Sequence, residues 1–276
     1  MASYVFFPSG VDLFSTIIWG TVAAAIGGMI VEAVRASITG SKAGSRSVLV
    51  LVIGTVIWLS YYNLPVYCYL LRGGLERDCS QAIHFWFKAY ELQPKLGLTY
   101  LRIGECYYAL EDYDRAIQWL DAGKVFEPRG EILTVLGFSH FEKGDIESAV
   151  LTFREALQMG ADGFATHFGL GVALHRQVDY EGSLEELSKA VEIDQDSPIA
   201  RFWLGWSLFE NGYYEAAQPQ FQYAIEKDFQ VARAHAGIGF CSWRLDRRDL
   251  ALQEFAIALS LDPDQEDVRI ALEAIQ

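Results

Sequence analysis

The hydrophobic pattern changes character near residue 72. Before that point apolar residues run almost unbroken. Leu13 to Val31 is nineteen residues without a charge, and Val48 to Leu71 is twenty-four. A helix rises about 1.5 Å per residue and a hydrocarbon core is about 30 Å thick, so each stretch is long enough to span a bilayer. The pattern predicts two transmembrane helices, about 13–34 and 48–71, forming an anchor over residues 1–71. Beyond it, in a second domain over residues 72–276, the chain reads as pairs of amphipathic helices broken by polar turns. Those turns are Glu-Asp-Tyr-Asp at 111–114, Lys-Gly-Asp at 143–145, Val-Asp-Tyr at 178–180 and Asn-Gly-Tyr at 211–213.

The second domain carries a ruler. Gly104, Gly137, Gly171, Gly205 and Gly239 are 33, 34, 34 and 34 residues apart. Twelve residues after each stands Ala116, Ala149, Ser183, Ala217 or Ala251, and four further on Leu120, Phe153, Leu187, Phe221 or Phe255. Gly123, Ala156, Ala190, Ala224 and Ala258 follow in the same register, and Ala82, Trp86 and Ala89 repeat the second half once more ahead of them. A fixed period of this length marks stacked supersecondary units, because one helix pair cannot bury its apolar face alone. The copies run over 97–129, 130–163, 164–197, 198–231 and 232–265. The segment around Asp78–Leu92 is half a repeat whose first helix would be the end of the second span, and EDVRIALEAIQ after Pro263 reads as a capping helix.

The ruler resembles the tetratricopeptide repeat, most closely over Tyr100–Pro128 and His235–Pro263. The closing proline is present as Pro94, Pro128 and Pro263 and missing from the second, third and fourth full copies. Ser183 and Gly123 depart from the usual alanine. The resemblance implies an all-α fold: after the two transmembrane helices, a right-handed superhelical solenoid of five full repeats, with the half repeat before and the cap behind. It also implies that the first helix of each pair lines a concave groove. On this chain the matching positions give Leu101, Tyr108, Phe138, Phe141, Phe168, Phe202, Trp206, Phe209, Phe240 and Trp243 as a protein-binding groove. Family members that grip acidic tails use Lys, Asn and Arg there, and this groove has few. An apolar peptide or helix is the expected occupant. Aromatics at helical spacing also fit a packed core, and that alternative stays open.

In the first span Gly20, Ala24 and Gly28 recur every four residues. Small residues at this spacing let helix backbones approach closely, so these three form a packing face for a partner's helix or for the second span. Glu32 and Arg35 share a face at the edge of the span and read as snorkelling charges. The loop holds Arg35, Lys42 and Arg46 and no acid, whereas the tail before Leu13 has no Lys or Arg. Positive loops stay cytoplasmic, which places the repeat domain on the far side, periplasmic in a bacterial inner membrane.

Composition removes other functions. Residues 1–71 hold only Asp12, Glu32, Arg35, Lys42 and Arg46, a formal charge of +1, so with −14 on the whole chain the repeats carry −15. An acidic domain is a poor partner for phosphate backbones, which excludes nucleic acid. Cys68, Cys79, Cys106 and Cys241 form no C-x-x-C pair and read as buried thiols. No histidine precedes His84, and His84, His140, His167, His175 and His235 form no H-E-x-x-H pair, so no cofactor, no metal and no catalysis are expected. The expected role is a membrane-anchored scaffold that organises or assembles a membrane complex, with other complex subunits, apolar peptide segments and the bilayer as partners. The alternatives are an auxiliary subunit of a photosynthetic or respiratory supercomplex, and a groove-based sensor of a soluble ligand.

Overall fold

The computed structural model describes residues 64–76 and 78–275. Most of both predicted spans, with Gly20, Ala24 and Gly28, lies outside the described residues. Among the described residues no helix is long and apolar enough to cross a membrane. The described residues form thirteen α-helices and no strand, and the chain divides into two compact units between Pro128 and Arg129.

The first unit contains α1 (Leu64–Leu75), α2 (Cys79–Leu92), α3 (Gly97–Ala109) and α4 (Tyr113–Phe126). Each helix packs on the next. Residues 64–71, the end of the second predicted span, are the start of α1, which pairs with α2 and so completes the half repeat. Asp78 caps α2 by accepting the Ser80 N–H at 2.9 Å, and Asp112 caps α4 by accepting the Arg115 N–H at 3.1 Å. The α3 start has no side-chain cap of its own. The Glu127 carboxylate accepts the Gly97 N–H at 2.9 Å instead, so the end of α4 closes the beginning of α3. The core is Ala82, Trp86, Ile103 and Cys106, flanked by Phe87, Tyr90, Tyr107 and Trp119.

The second unit contains α5 (Gly130–Lys143), α6 (Ile146–Gln158), α7 (Phe164–Arg176), α8 (Tyr180–Ile193), α9 (Pro198–Glu210), α10 (Tyr214–Glu226), α11 (Val231–Arg244), α12 (Arg248–Leu261) and α13 (Glu266–Ile275). Consecutive helices pack together, and α5, α7, α9 and α11 also touch in sequence, so the first helices of the pairs form one layer. The ruler residues meet where the paired helices cross. A Cβ added at Gly137, Gly171, Gly205 or Gly239 would lie 2.7, 2.6, 2.9 or 2.6 Å from the side chain of Phe153, Leu187, Phe221 or Phe255 respectively. Each large residue of a second helix therefore seats against bare backbone of its first helix, which is why the two positions recur together. Phe153 and Phe221 are gripped from a second side by Gly169 and Gly237 of the next repeat.

The turns inside each pair carry one left-handed residue: Glu111, Gly144, Val178, Gly212 and Asp246, with φ of 60°, 89°, 68°, 82° and 58°. Glycine adopts this conformation freely, whereas a β-branched residue is strained in it. Val178 is therefore the outlier of the set. Pro219 stands inside α10, where it removes one helix hydrogen bond, on an exposed face that water reaches. At the end α13 covers the last pair, burying Val268, Ala271 and Ile275 against Ala251, Phe255 and Ala258, and Arg248 donates to the Ile275 carbonyl.

Candidate functional site

The structure sorts the ten predicted groove residues into two groups. Leu101 and Tyr108 of the first unit, and Phe138, Phe168 and Phe202 of the second, are buried. Phe138 meets Phe153 edge-on at 4.9 Å, and Phe168 stacks on Phe164 at 5.6 Å. Phe202, only 2% exposed, is boxed in by Trp203, Trp206, Phe221 and Phe229. These five are core residues and offer no surface to a partner.

The other five remain accessible. Phe141, Trp206, Phe209 and Phe240 are half-buried, and Trp243 is 41% exposed. Three of them form a continuous aromatic surface across α9 and α11: Trp206 to Phe209 at 5.9 Å, Phe209 to Phe240 at 6.2 Å and Trp206 to Phe240 at 6.4 Å. The surface is braced from behind by Phe221 and Phe255, whose rings lie 5.1 Å from Trp206 and 5.0 Å from Phe240. Tyr214 extends it, 5.4 Å from Phe209, with the Arg244 guanidinium 5.9 Å from the Tyr214 ring centre. The indole nitrogen of Trp206 is buried and has no hydrogen-bond partner, which is uncommon for so strong a donor. The rings are thus rigidly backed, apolar and partly uncovered, with the Arg244 charge beside Tyr214.

A buried polar chain lies beside this surface, between α7, α8 and α9. Ser183 donates to the Gly171 carbonyl at 2.8 Å and lies 2.7 Å from the Ser207 hydroxyl, which is 3.3 Å from Nδ1 of His175. With the Ser183 proton committed, Ser207 donates to Ser183 and His175 donates to Ser207. Burial, reinforced by the Arg176 charge, pushes the His175 pKa down to about 4, so the ring is neutral at pH 7. Asn211 ties the same helices by donating to the Tyr180 and Ser207 carbonyls, both at 2.8 Å. The network was foreshadowed only by the serine at 183 where the other copies have alanine.

Two other histidines hold helix pairs together. His167 Nδ1 lies 2.6 Å from Glu186 and its Nε2 2.6 Å from Asp162, while His235 Nδ1 lies 2.6 Å from Glu254. His167 and His235 occupy the same repeat position, and so do Glu186 and Glu254. Among the described residues no group of His, Cys, Asp and Glu could hold a metal ion. Cys106 and Cys241 are buried thiols whose pKa values burial raises, the second to about 12, as suits an inert packing role.

Two family profiles, both described as tetratricopeptide repeat, match the chain: one at residues 135–198 and again at 200–266, the other at 98–123. Together they span more than half of it, and the chain belongs to the tetratricopeptide-repeat family. No curated protein matches it. Among solved structures it is similar to YrrB, a tetratricopeptide-repeat protein with an unusual peptide-binding site, at 23% identity and a TM-score of 0.62 over 68% of this chain and 97% of that one. PilW, a widely conserved type IV pilus biogenesis factor, aligns at 18% identity and a TM-score of 0.60 over 76% and 98%. MamA of Desulfovibrio magneticus RS-1, residue 41 to the end, aligns at 22% identity and 0.55 over 62% and 97%. At these identities the likeness is one of fold.

Proposed function

We propose that this chain is a membrane-anchored interaction scaffold that holds an apolar segment of another membrane-complex subunit on the aromatic face of α9 and α11. One observation carries the reading: Trp206, Phe209 and Phe240 form a continuous surface, rigid underneath and open above, with Trp243 exposed at its side. Rings fixed before binding lose little entropy on contact, and apolar area buried against them stabilises a complex by about 25 cal/mol per Å² before association costs. The face has the composition of a binding hot spot, in which a few aromatics dominate. The fold is shared with YrrB, which has a peptide-binding site, and with PilW, a pilus biogenesis factor, so both peptide capture and assembly work are roles this architecture supports.

The anchor is the pair of apolar stretches at 13–34 and 48–71, with Gly20, Ala24 and Gly28 as its packing face and the repeats on the periplasmic side. Two measurements test this. A reporter active only outside the cytoplasm, fused after Gln276, is expected to be active. A signal from a cytoplasmic reporter alone would reverse the sidedness. A photo-crosslinking side chain placed at Trp243 is expected to capture a membrane-complex subunit in mild detergent, whereas the same group at exposed Glu181 captures none. Equal capture at both positions would remove the aromatic face as the site.

A further inference from the structure

The first unit carries a second aromatic site, independent of the α9–α11 face. A cavity of about 450 Å³ opens between α2, the α2–α3 connection, α3 and α4. Tyr90, Tyr100, Trp119 and Phe126 line it together with the exposed Pro94 and Lys95 of the connection. The rings meet at right angles: Tyr90 to Tyr100 at 5.5 Å and 83°, Tyr90 to Trp119 at 5.2 Å and 90°. Phe126, half uncovered, stacks on Tyr100 at 5.4 Å and 22°. The cavity is therefore a corner of aromatic faces, braced from behind by Phe87 5.1 Å from Trp119. Its size lies in the range of small ligand pockets, a few hundred Å³.

Its polar groups restrict what can enter. The Tyr100 hydroxyl donates to the Pro94 carbonyl at 2.6 Å, which fixes the connection to the wall and occupies that acceptor. Burial and the neighbouring Tyr90 push the Tyr100 pKa up to about 12, so this donor keeps its proton. The charged group lining the cavity is Lys95, which has donors and no acceptor. An ammonium ligand, the usual guest of an aromatic cage, would meet the Lys95 charge. Gln118 also lines the cavity, and a peptide N–H brought against the ring faces, away from that amide, would lose its water and find apolar walls.

The geometry points to a docking site for a proline-containing, acidic segment of a partner protein in the polyproline II conformation. Proline has no N–H to strand, its flat ring lies against aromatic faces, and the polyproline II backbone is already ordered before it binds. A carboxylate beside the proline pairs with Lys95, so the charge at the mouth selects acidic flanks over basic ones.

The test uses the full chain in detergent micelles and a fluorescein-labelled peptide, Pro-Pro-Glu-Pro-Pro-Glu, read by fluorescence anisotropy. Saturable binding is expected, weakened at least tenfold by Lys95→Glu and by Phe126→Ala. Lys95 is exposed and Phe126 half uncovered, so neither change removes a buried group, and the melting curve of each variant verifies that it is folded. The peptide with lysine in place of glutamate is expected to bind the wild type poorly and to regain affinity for Lys95→Glu. Replacing the prolines with alanine is expected to abolish binding. Equal affinity for an acidic leucine peptide would make the site a general apolar pocket, displacement by tetramethylammonium would make it a cation cage, and no saturable binding would mean no site. Each of these three results overturns the proposal.

Discussion

Replacing Gly169 with alanine tests whether the second unit is held together by size-matched pairs across neighbouring repeats. A Cβ at this position would lie 2.5 Å from Cζ and 2.7 Å from Cε1 of Phe153, and 2.9 Å from Cζ of Phe138. Phe153 is fully buried and already pressed against Gly137 on its other side, so the ring has little room to retreat. Overpacking of this kind costs about 1–3 kcal/mol. Against it, alanine is a better helix former than glycine by about 1 kcal/mol. The single variant should therefore lose up to about 2 kcal/mol, the difference of the two effects. Phe153→Leu removes the two closest atoms, because leucine has no Cε or Cζ, and gives the Phe138 ring, whose Cζ is the third at 2.9 Å, room to shift toward the smaller side chain. In that background most of the packing penalty is gone while the helix propensity remains, so Gly169→Ala should become neutral or stabilising by up to about 1 kcal/mol. The sequence displays the same logic: Phe153 and Phe221 are followed sixteen residues later by Gly169 and Gly237, whereas Leu187 is followed by Trp203. Urea unfolding of the wild type, both single variants and the double variant, followed by far-UV circular dichroism, yields the coupling. A sign reversal is expected. Equal loss in both backgrounds would show that Gly169 and Phe153 are not a matched pair.

Three further outcomes follow from the same structure. Val178 holds φ at 68° with its side chain largely exposed, so Val178→Gly removes left-handed strain and little packing; it should raise the thermal midpoint by the equivalent of about 1 kcal/mol, and a fall would mean the valine side chain makes a contact that matters. Because the His175 pKa is depressed to about 4 from 6.5, the unfolded chain binds the extra proton in that window and stability should fall as the pH drops through it. After allowance for partial exposure of the ring, the wild type should lose about 1–2 kcal/mol more than His175→Gln between pH 6.5 and 4, and parallel curves would refute the neutral ring. Gly20→Leu and Gly28→Leu place bulk on the predicted packing face and should weaken partner retention in mild detergent, whereas unchanged retention would leave that face without a role.

The fold was legible because repetition makes each contact visible five times. Gly104 and Leu120, Gly137 and Phe153, and their later copies keep a fixed spacing since a helix crossing demands one bare and one large residue at that point. The helix pairs, the half repeat completed by α1 and the α13 cap followed from that register. Which of the ten expected groove positions stay uncovered was not legible. Helical spacing assigns a residue to a face but not to the depth at which a neighbouring helix covers it, which is why Phe202 and Trp206, one turn apart on α9, end as a core ring and a half-open one. The Ser183–Ser207–His175 chain joins three helices at positions with no common spacing, so it needed coordinates. The aromatic corner of the first unit likewise depends on how the connection at Pro94 and Lys95 folds back onto Tyr100.

Trp243→Glu asks whether the open rings of α9 and α11 bind a partner, as proposed. Trp243 is 41% exposed and takes part in none of the ring contacts that brace the face from behind, so a carboxylate there should leave the fold intact. Under an apolar partner segment the same carboxylate must be desolvated, which costs about 2 kcal/mol or more, roughly thirtyfold in affinity. Full-length wild type and variant, crosslinked in their own membranes and purified in mild detergent, are compared for the amount of partner subunit recovered per scaffold, with the thermal midpoint recorded beside it. At least tenfold less partner is expected at an unchanged midpoint. Full recovery of the partner by a folded Trp243→Glu protein would contradict it.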